Sequence, residues 1–202
     1  MDNKFDTVYI SFNIKATLDL VELQKKVCAT YQLIPRSEFH ITFAYLGKVT
    51  SDQVEVLGNL LLPTPKGDFE KVKVNGLGGA YEDSSCAVHF ITDPRDIPLE
   101  FSRVFWISID CTNSMLDFRN TLISTIISAG LPSTFLRPVF APHITLGSGG
   151  PQNKSGDWSL WDIHSIEKKV TLEEIDCSSN LIVEDIHITS VAVHPKNLFK
   201  IS

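Results

Sequence analysis

The sequence predicts an α+β chain assembled from two related strand–helix–strand units. Runs rich in β-branched and aromatic residues alternate with three segments of helical periodicity. The order strand, helix, loop, strand occurs at 7–47 and again at 103–147, and each copy ends on His-Ile-Thr. These two copies stand in SEFHITFAYLG (37–47) and FAPHITLGSGG (140–150), and a third occurs in IHITSVAVH (186–194). With 6 His and 14 Thr in 202 residues, composition supplies about 0.4 His-x-Thr matches, so chance does not account for three.

Taken in order, the first strand is TVYISFNI (7–14), followed by a helix after Thr17 with Leu20, Leu23, Val27 and Tyr31 as its apolar stripe. HITFAYL (40–46) is the next strand. The pattern Thr50-x-x-Gln53 is a capping box that opens a second helix ending before Pro63. Strands are expected at FEKVKVNG (69–76), CAVHFI (86–91) and RVFWISID (103–110). A third helix starts near Ser114, carries Leu116, Leu122, Ile123, Ile126 and Ile127, and stops at Gly130 with Pro132 behind it. HITLG (143–147) and LIVEDIHITSVAVH (181–194) complete the strands, with an irregular connection over 151–178.

The whole, 1–202, reads as one domain with lobes around the two repeats, since the length suits a single core. No apolar run reaches membrane-spanning length, and the opening MDNKFDTVYISF lacks the layout of a secretion signal. Cys28, Cys86, Cys111 and Cys177 are far apart and form no CxxC pair. That points away from a metal framework and towards free thiols in a reducing, cytoplasmic setting. The net charge of −6 argues against coating long nucleic acid by bulk electrostatics, while leaving room for a small phosphate ligand in a locally basic cleft. A monomer is expected.

Strand alternation puts His40 and Thr42 on one face with Ala44, and Phe39, Ile41, Phe43 and Tyr45 on the other. His143 and Thr145 likewise oppose Ile144 and Leu146. A duplicated unit packs with pseudo-two-fold symmetry, which would face the two motifs across one cleft. The third copy has no strand–helix unit before it, and Ser190 follows where the other two have a large apolar residue. His187 is therefore expected to be structural, exposed or internally bonded. Trp106 reads as core, and Trp158 and Trp161 as packing residues. His89, His164 and His194 have no partner at a useful spacing.

Two facing imidazoles supply one neutral base and one protonated acid near pH 7, because free His titrates near about 6.5. In-line displacement at phosphorus needs that pair: one proton leaves the attacking oxygen and another reaches the leaving oxygen. Each Thr hydroxyl, on the face of its His, can donate to a non-bridging phosphate oxygen, where transition-state charge collects. This chemistry needs no metal or cofactor, so activity is expected to survive EDTA and follow a bell-shaped pH profile.

HITFAYLGKVT (40–50) resembles the first signature of the 2H phosphoesterase superfamily, in its LigT-like branch, the RNA 2′,3′-cyclic phosphodiesterases once assayed as 2′–5′ RNA ligases. FAPHITLG (140–147) resembles the second, and KVKVNGLGGAY (71–81) and SRVFWISID (102–110) resemble the segments between. The resemblance implies a bilobal α+β fold with antiparallel-rich sheets around a central cleft. It also implies metal-independent opening of a 2′,3′-cyclic phosphate to a 2′-phosphate. His40 and His143 would be the acid–base pair, with the first His leaning towards the acid, and Thr42 and Thr145 would bind phosphate.

Many such proteins carry an Arg shortly after the second His-x-Thr-Leu, where this chain has Gly147-Ser148-Gly149-Gly150. Arg103 and Arg137 are the expected additional phosphate contacts, with Arg36, Lys48 and the backbone N–H groups of the Gly-rich turn as further candidates. The segment from Glu82 to Pro98 reads longer than usual, which would alter the substrate mouth. Expected partners are RNA ends or small nucleotide phosphodiesters, including 2′–5′ linkages. Two alternatives are an enzyme degrading signalling oligonucleotides (2′–5′ oligoadenylate or cyclic oligonucleotides) and a catalytically weak RNA- or nucleotide-binding module.

Overall fold

A computed structural model describes residues 4–5, 8–46, 48–61, 74–82, 85, 88–90, 102–132, 136, 140–149, 181, 183–190 and 196–201. In chain order the elements are β1 (Lys4–Phe5), β2 (Val8–Ile14), α1 (Leu18–Tyr31), β3 (Ile34–Pro35), β4 (Phe39–Leu46), β5 (Val49–Thr50) and α2 (Ser51–Leu61). There follow β6 (Val74–Glu82), β7 (Val88–Phe90), β8 (Ser102–Ile109), α3 (Asn113–Ser128), β9 (His143–Gly149), β10 (Val183–Ser190) and β11 (Lys196–Ile201).

The three helices begin where side chains can satisfy their first N–H groups. Thr17 accepts from Leu20 N at the start of α1. The capping box at Thr50 closes reciprocally: Gln53 N donates to Thr50 Oγ1, and Thr50 N donates to Gln53 Oε1 at 2.9 Å. For α3 the cap is Thr112, which accepts from Met115 N, so the helix starts a residue before the expected Ser114. Its buried stripe is Met115, Arg119, Leu122 and Ile126. Leu116 and Ile127, read from the sequence as stripe members, are 37% and 58% exposed; the i, i+4, i+7, i+11 line through Met115 is the one that meets the sheet.

The main sheet runs β11-β10-β2-β4-β9-β8-β6-β7 with every neighbouring pair antiparallel, and β3 also pairs β9. β1 and β5 form a separate two-stranded ribbon. Among the described residues the half containing the first repeat meets the half containing the second at Ile41 with Ile144, from β4, and at Ile34 with Ser148 and Pro35 with Gly147, from β3. β6 continues to Glu82, past the expected end at residue 76, and β11 is not evident from the sequence. Most of the segment from Glu82 to Pro98, all of 151–180, and Trp158, Trp161, His164 and His194 lie outside the described residues.

The two repeats exchange helices beneath the sheet. α1 follows β2 yet packs under β8 and β9: Tyr31 stacks on Phe105 at 4.4 Å, and Gln24 and Cys28 both donate to Leu146 O. α3 follows β8 yet packs under β2 and β4, with Phe118 5.1 Å from both Phe12 and Phe43. Phe12 and Phe43 meet edge-on at 4.7 Å, and Phe140 completes the cluster. At about 1.5–3 kcal/mol for each large apolar side chain buried, this exchange ties the two halves together. It also leaves the opposite sheet face clear of both helices where β4 and β9 meet.

Candidate active site

β4 buries Phe39, Ile41 and Phe43 on the helix side and leaves His40 and Thr42 half-buried on the other. β9 does the same, with Ile144 and Leu146 buried and His143 and Thr145 half-buried. Because Ile41 lies opposite Ile144 in an antiparallel pair, Thr42 falls across from His143, and His40 across from Thr145. The two His are then diagonal neighbours, about 7–8 Å apart along the backbone and somewhat less at Cβ. Two His and two Thr from positions 103 residues apart (143 − 40) thus alternate around one point on one sheet face.

The flanking strands repeat the arrangement. Ser11 and Asn13 of β2 lie beside Thr42 and His40; Trp106 and Ser108 of β8 lie beside Thr145 and His143. Each motif is followed by an irregularity at the same place. The register shifts between Ile10 and Ser11 opposite β4, and between Phe105 and Trp106 opposite β9. The extra residue puts two successive positions on the helix side, Phe43 with Ala44 and Leu146 with Gly147. Ala44 is accordingly buried opposite Ile10, and Tyr45 pairs with Tyr9 on the His40 face. Simple alternation assigns Ala44 and Tyr45 the other way round, and the bulge corrects it. Ser148, opposite Val104, is the matching position in the second motif.

His40 is the most perturbed group of the site. Its pKa is pushed down from 6.5 to about 4, first by burial and then by the charges of His143, Arg36 and His187. Its ring stacks on Tyr9 at 5.2 Å with 24° between planes, and Tyr9 in turn touches Tyr45. His143 is held differently. Its Nδ1 lies 2.9 Å from Ala141 O; a carbonyl only accepts, so Nδ1 carries a proton and Nε2 is the atom left to exchange one. Trp106 lies beside it, rings 5.7 Å apart. Trp106 is buried, as expected of a core residue, but on the site face, where its indole lies against Gly78. A Cβ at Gly78 would collide with Trp106 Nε1.

His187 is internally bonded, as expected, yet it stands next to the pair. It lies across from Ser11, which lies across from Thr42. It is 6% exposed, and Asn13 Nδ2 donates to its Nδ1 at 3.2 Å. Among the described residues its Nε2 and the Ser11 hydroxyl are buried without a hydrogen-bond partner. Periodicity could not show this proximity, because Asn13 and His187 are 174 residues apart in the chain.

The candidate cations separate clearly. Arg103 is 3% exposed and turned to the helix side. There its Nε donates to Tyr31 O and its guanidinium to Gln32 O, closing the C-terminus of α1, where Gln32 turns into the left-handed region at φ 51°. The expectation that Arg103 contacts phosphate therefore fails: an adjacent residue on a strand points to the opposite face, and this one is committed to helix carbonyls. Arg137 lies outside the described residues. Lys48 is exposed beyond β4. Arg36 is exposed and near enough for its charge to act on His40. Among the described residues no group of three His, Cys, Asp or Glu could hold a metal ion, and no helix is long and apolar enough to cross a membrane.

No protein-family model matches the chain, and no curated protein matches it in sequence. Solved structures do match over nearly its whole length. A crystal structure described as a phosphoesterase aligns over 98% of this chain and 96% of its own, with TM-score 0.52 and 14% identity. E. coli LigT, crystallised with NADP+, aligns over the same shares with TM-score 0.53 and 15% identity. The chain has the LigT fold. At this identity the likeness is one of backbone path, and the LigT fold accounts for the mixed α/β architecture and its open antiparallel sheet.

Proposed function

We propose that this chain is a 2H-type phosphodiesterase that hydrolyses 2′,3′-cyclic phosphates of RNA ends or nucleotides to 2′-phosphates, or cleaves 2′–5′ linkages, with His40 and His143 as the acid–base pair. One observation carries the reading: the two His-x-Thr motifs sit on adjacent antiparallel strands in a register that alternates His and Thr around one point. The LigT fold, and a LigT crystal structure with the dinucleotide NADP+, support a nucleotide substrate.

Thr42 and Thr145 donate to the two non-bridging oxygens of the phosphate between them, where transition-state charge is largest. Water attacks phosphorus in line with the O3′–P bond; that bond breaks and the product keeps phosphate on O2′. The surroundings of His40 hold it neutral at pH 7, so it takes the proton from the attacking water. His143, with Nδ1–H anchored on Ala141 O, gives a proton from Nε2 to O3′. This assignment reverses the lean of the family resemblance, and its basis is the difference in surroundings of the two rings.

The test is turnover of adenosine 2′,3′-cyclic phosphate, with EDTA present, by wild type, His40→Ala and His143→Ala. Hydrolysis to the 2′-phosphate that is lost by a factor of at least about 10² in both variants is the expected result. A folded wild type that binds nucleotides without turning over cyclic, 2′–5′-linked or cyclic-oligonucleotide substrates would make the chain a binding module.

A further inference from the structure

We propose that Arg36 is the cation that binds the substrate phosphate in this chain, reaching the site from the residue after β3 and standing in for any cation within the second motif. This rests on the phosphodiesterase reading above. An acidic chain, net charge −6, repels a phosphate over most of its surface, so the site needs a local positive charge. Among the described arginines, Arg103 and Arg119 are buried, the first on helix carbonyls and the second over the Phe140 ring at 5.2 Å.

Arg36 is built into the site by its backbone. Its N–H donates to Leu146 O at 2.9 Å, the residue after Thr145. Its own C=O accepts from Gln24 Nε2 at 2.9 Å, and the same Gln24 amide donates to Leu146 O at 2.8 Å. Gln24 is buried on α1. Helix, loop and motif strand are thereby joined at this one residue. Ordering the backbone of a surface residue costs conformational entropy, and here it fixes the base of a charged side chain.

The register supplies the setting. β3 lies along the second half of β9, with Ile34 opposite Ser148 and Pro35 opposite Gly147. Gly147 faces the helix side, where an added Cβ would meet Cys28 and Leu33; Ser148 faces the site. Arg36 leaves the strand beside the β9 bulge at Leu146. The side chain is exposed, and among the described residues no acidic group pairs with it. Its charge already lowers the pKa of His40, which is the electrostatic sign of a cation overlooking the same point.

The experiment compares wild type, Arg36→Gln, Arg36→Lys and the double variant Arg36→Gln/Ser148→Arg. The readouts are binding of adenosine 2′-phosphate and of adenosine by calorimetry, and turnover of adenosine 2′,3′-cyclic phosphate. Arg36→Gln is expected to weaken the 2′-phosphate about ten-fold, equivalent to about 1.4 kcal/mol, and to flatten its salt dependence. Adenosine affinity should not change, and the turnover defect should fall mainly on KM. Arg36→Lys keeps part of the affinity, and Ser148→Arg restores it from the neighbouring strand position. Equal 2′-phosphate affinity in wild type and Arg36→Gln overturns the inference while leaving the phosphodiesterase reading intact. So does a loss that is as large in Arg36→Lys and is not relieved by adding Ser148→Arg. A wild type that neither binds the 2′-phosphate nor turns over the cyclic substrate overturns both.

Discussion

Protonation of His40 is the sharpest handle on the site. Its pKa of about 4 against 6.5 for a free ring amounts to at most about 3.4 kcal/mol of preference for the neutral form, at 1.36 kcal/mol per pH unit. Above pH 6.5 both folded and unfolded chains carry a neutral ring and nothing is lost. As pH falls from 6.5 to 4, the unfolded chain takes up a proton that the folded chain refuses, so stability declines through that window and levels off below it. Urea unfolding at pH 7, 5.5 and 4.5 should therefore show a smaller acid loss in His40→Gln than in wild type. NMR of the imidazole Cε1–H should place the titration of His40 near 4. His143→Gln should raise it more than Arg36→Gln, and Arg36→Gln more than His187→Gln, following the order of the three charges. Saturating 2′-phosphate should raise it further, since an anion stabilises the imidazolium. A His40 that titrates near 6.5 in the free protein, or identical acid slopes in wild type and His40→Gln, would refute the assignment of His40 as the neutral base.

Two further outcomes test the frame around the site. Arg103→Met should cost about 2 kcal/mol in urea unfolding, because Tyr31 O and Gln32 O lose their charged donor, yet leave 2′-phosphate affinity unchanged; weakened phosphate binding with unchanged stability would return Arg103 to the site. Gly147→Ala places a methyl 2.7 Å from Cys28 Sγ and 2.8 Å from Ile34 O. It should destabilise by about 1–3 kcal/mol, measured by thermal melting, and a neutral result would contradict the packing of α1 and β3 on β9.

Much of this molecule is legible locally. Thr17 and the Thr50–Gln53 box mark helix starts because a cap needs only the four residues around it. The His-x-Thr faces follow from the two-residue period of a strand. The stripe of α3 is less legible: Leu116 and Ile127 are as apolar as Leu122 and Ile126, and only contact with Phe12 and Phe43 selects which side of the helix is buried. Arg103 invites a misreading because its neighbours in sequence give no sign of the helix end that occupies its guanidinium.

By itself, the amino-acid order determined the two strand–helix–strand orders, their helices and the strand face that His40 shares with Thr42 and His143 with Thr145, since short-range periodicity and capping encode them. Only the tertiary structure decided the rest. The bulges exist because each motif strand carries one residue more than its partner, and they turn Tyr45 and Ser148 onto the site face. His187 stands beside the pair because β10 closes on β2. Arg36 is tied to the second motif strand because Gln24 and Leu146 hold its backbone. The neutrality of His40 depends on burial and on charges that chain separation hides. Such properties arise from strands and side chains far apart in sequence, and no local pattern can carry them.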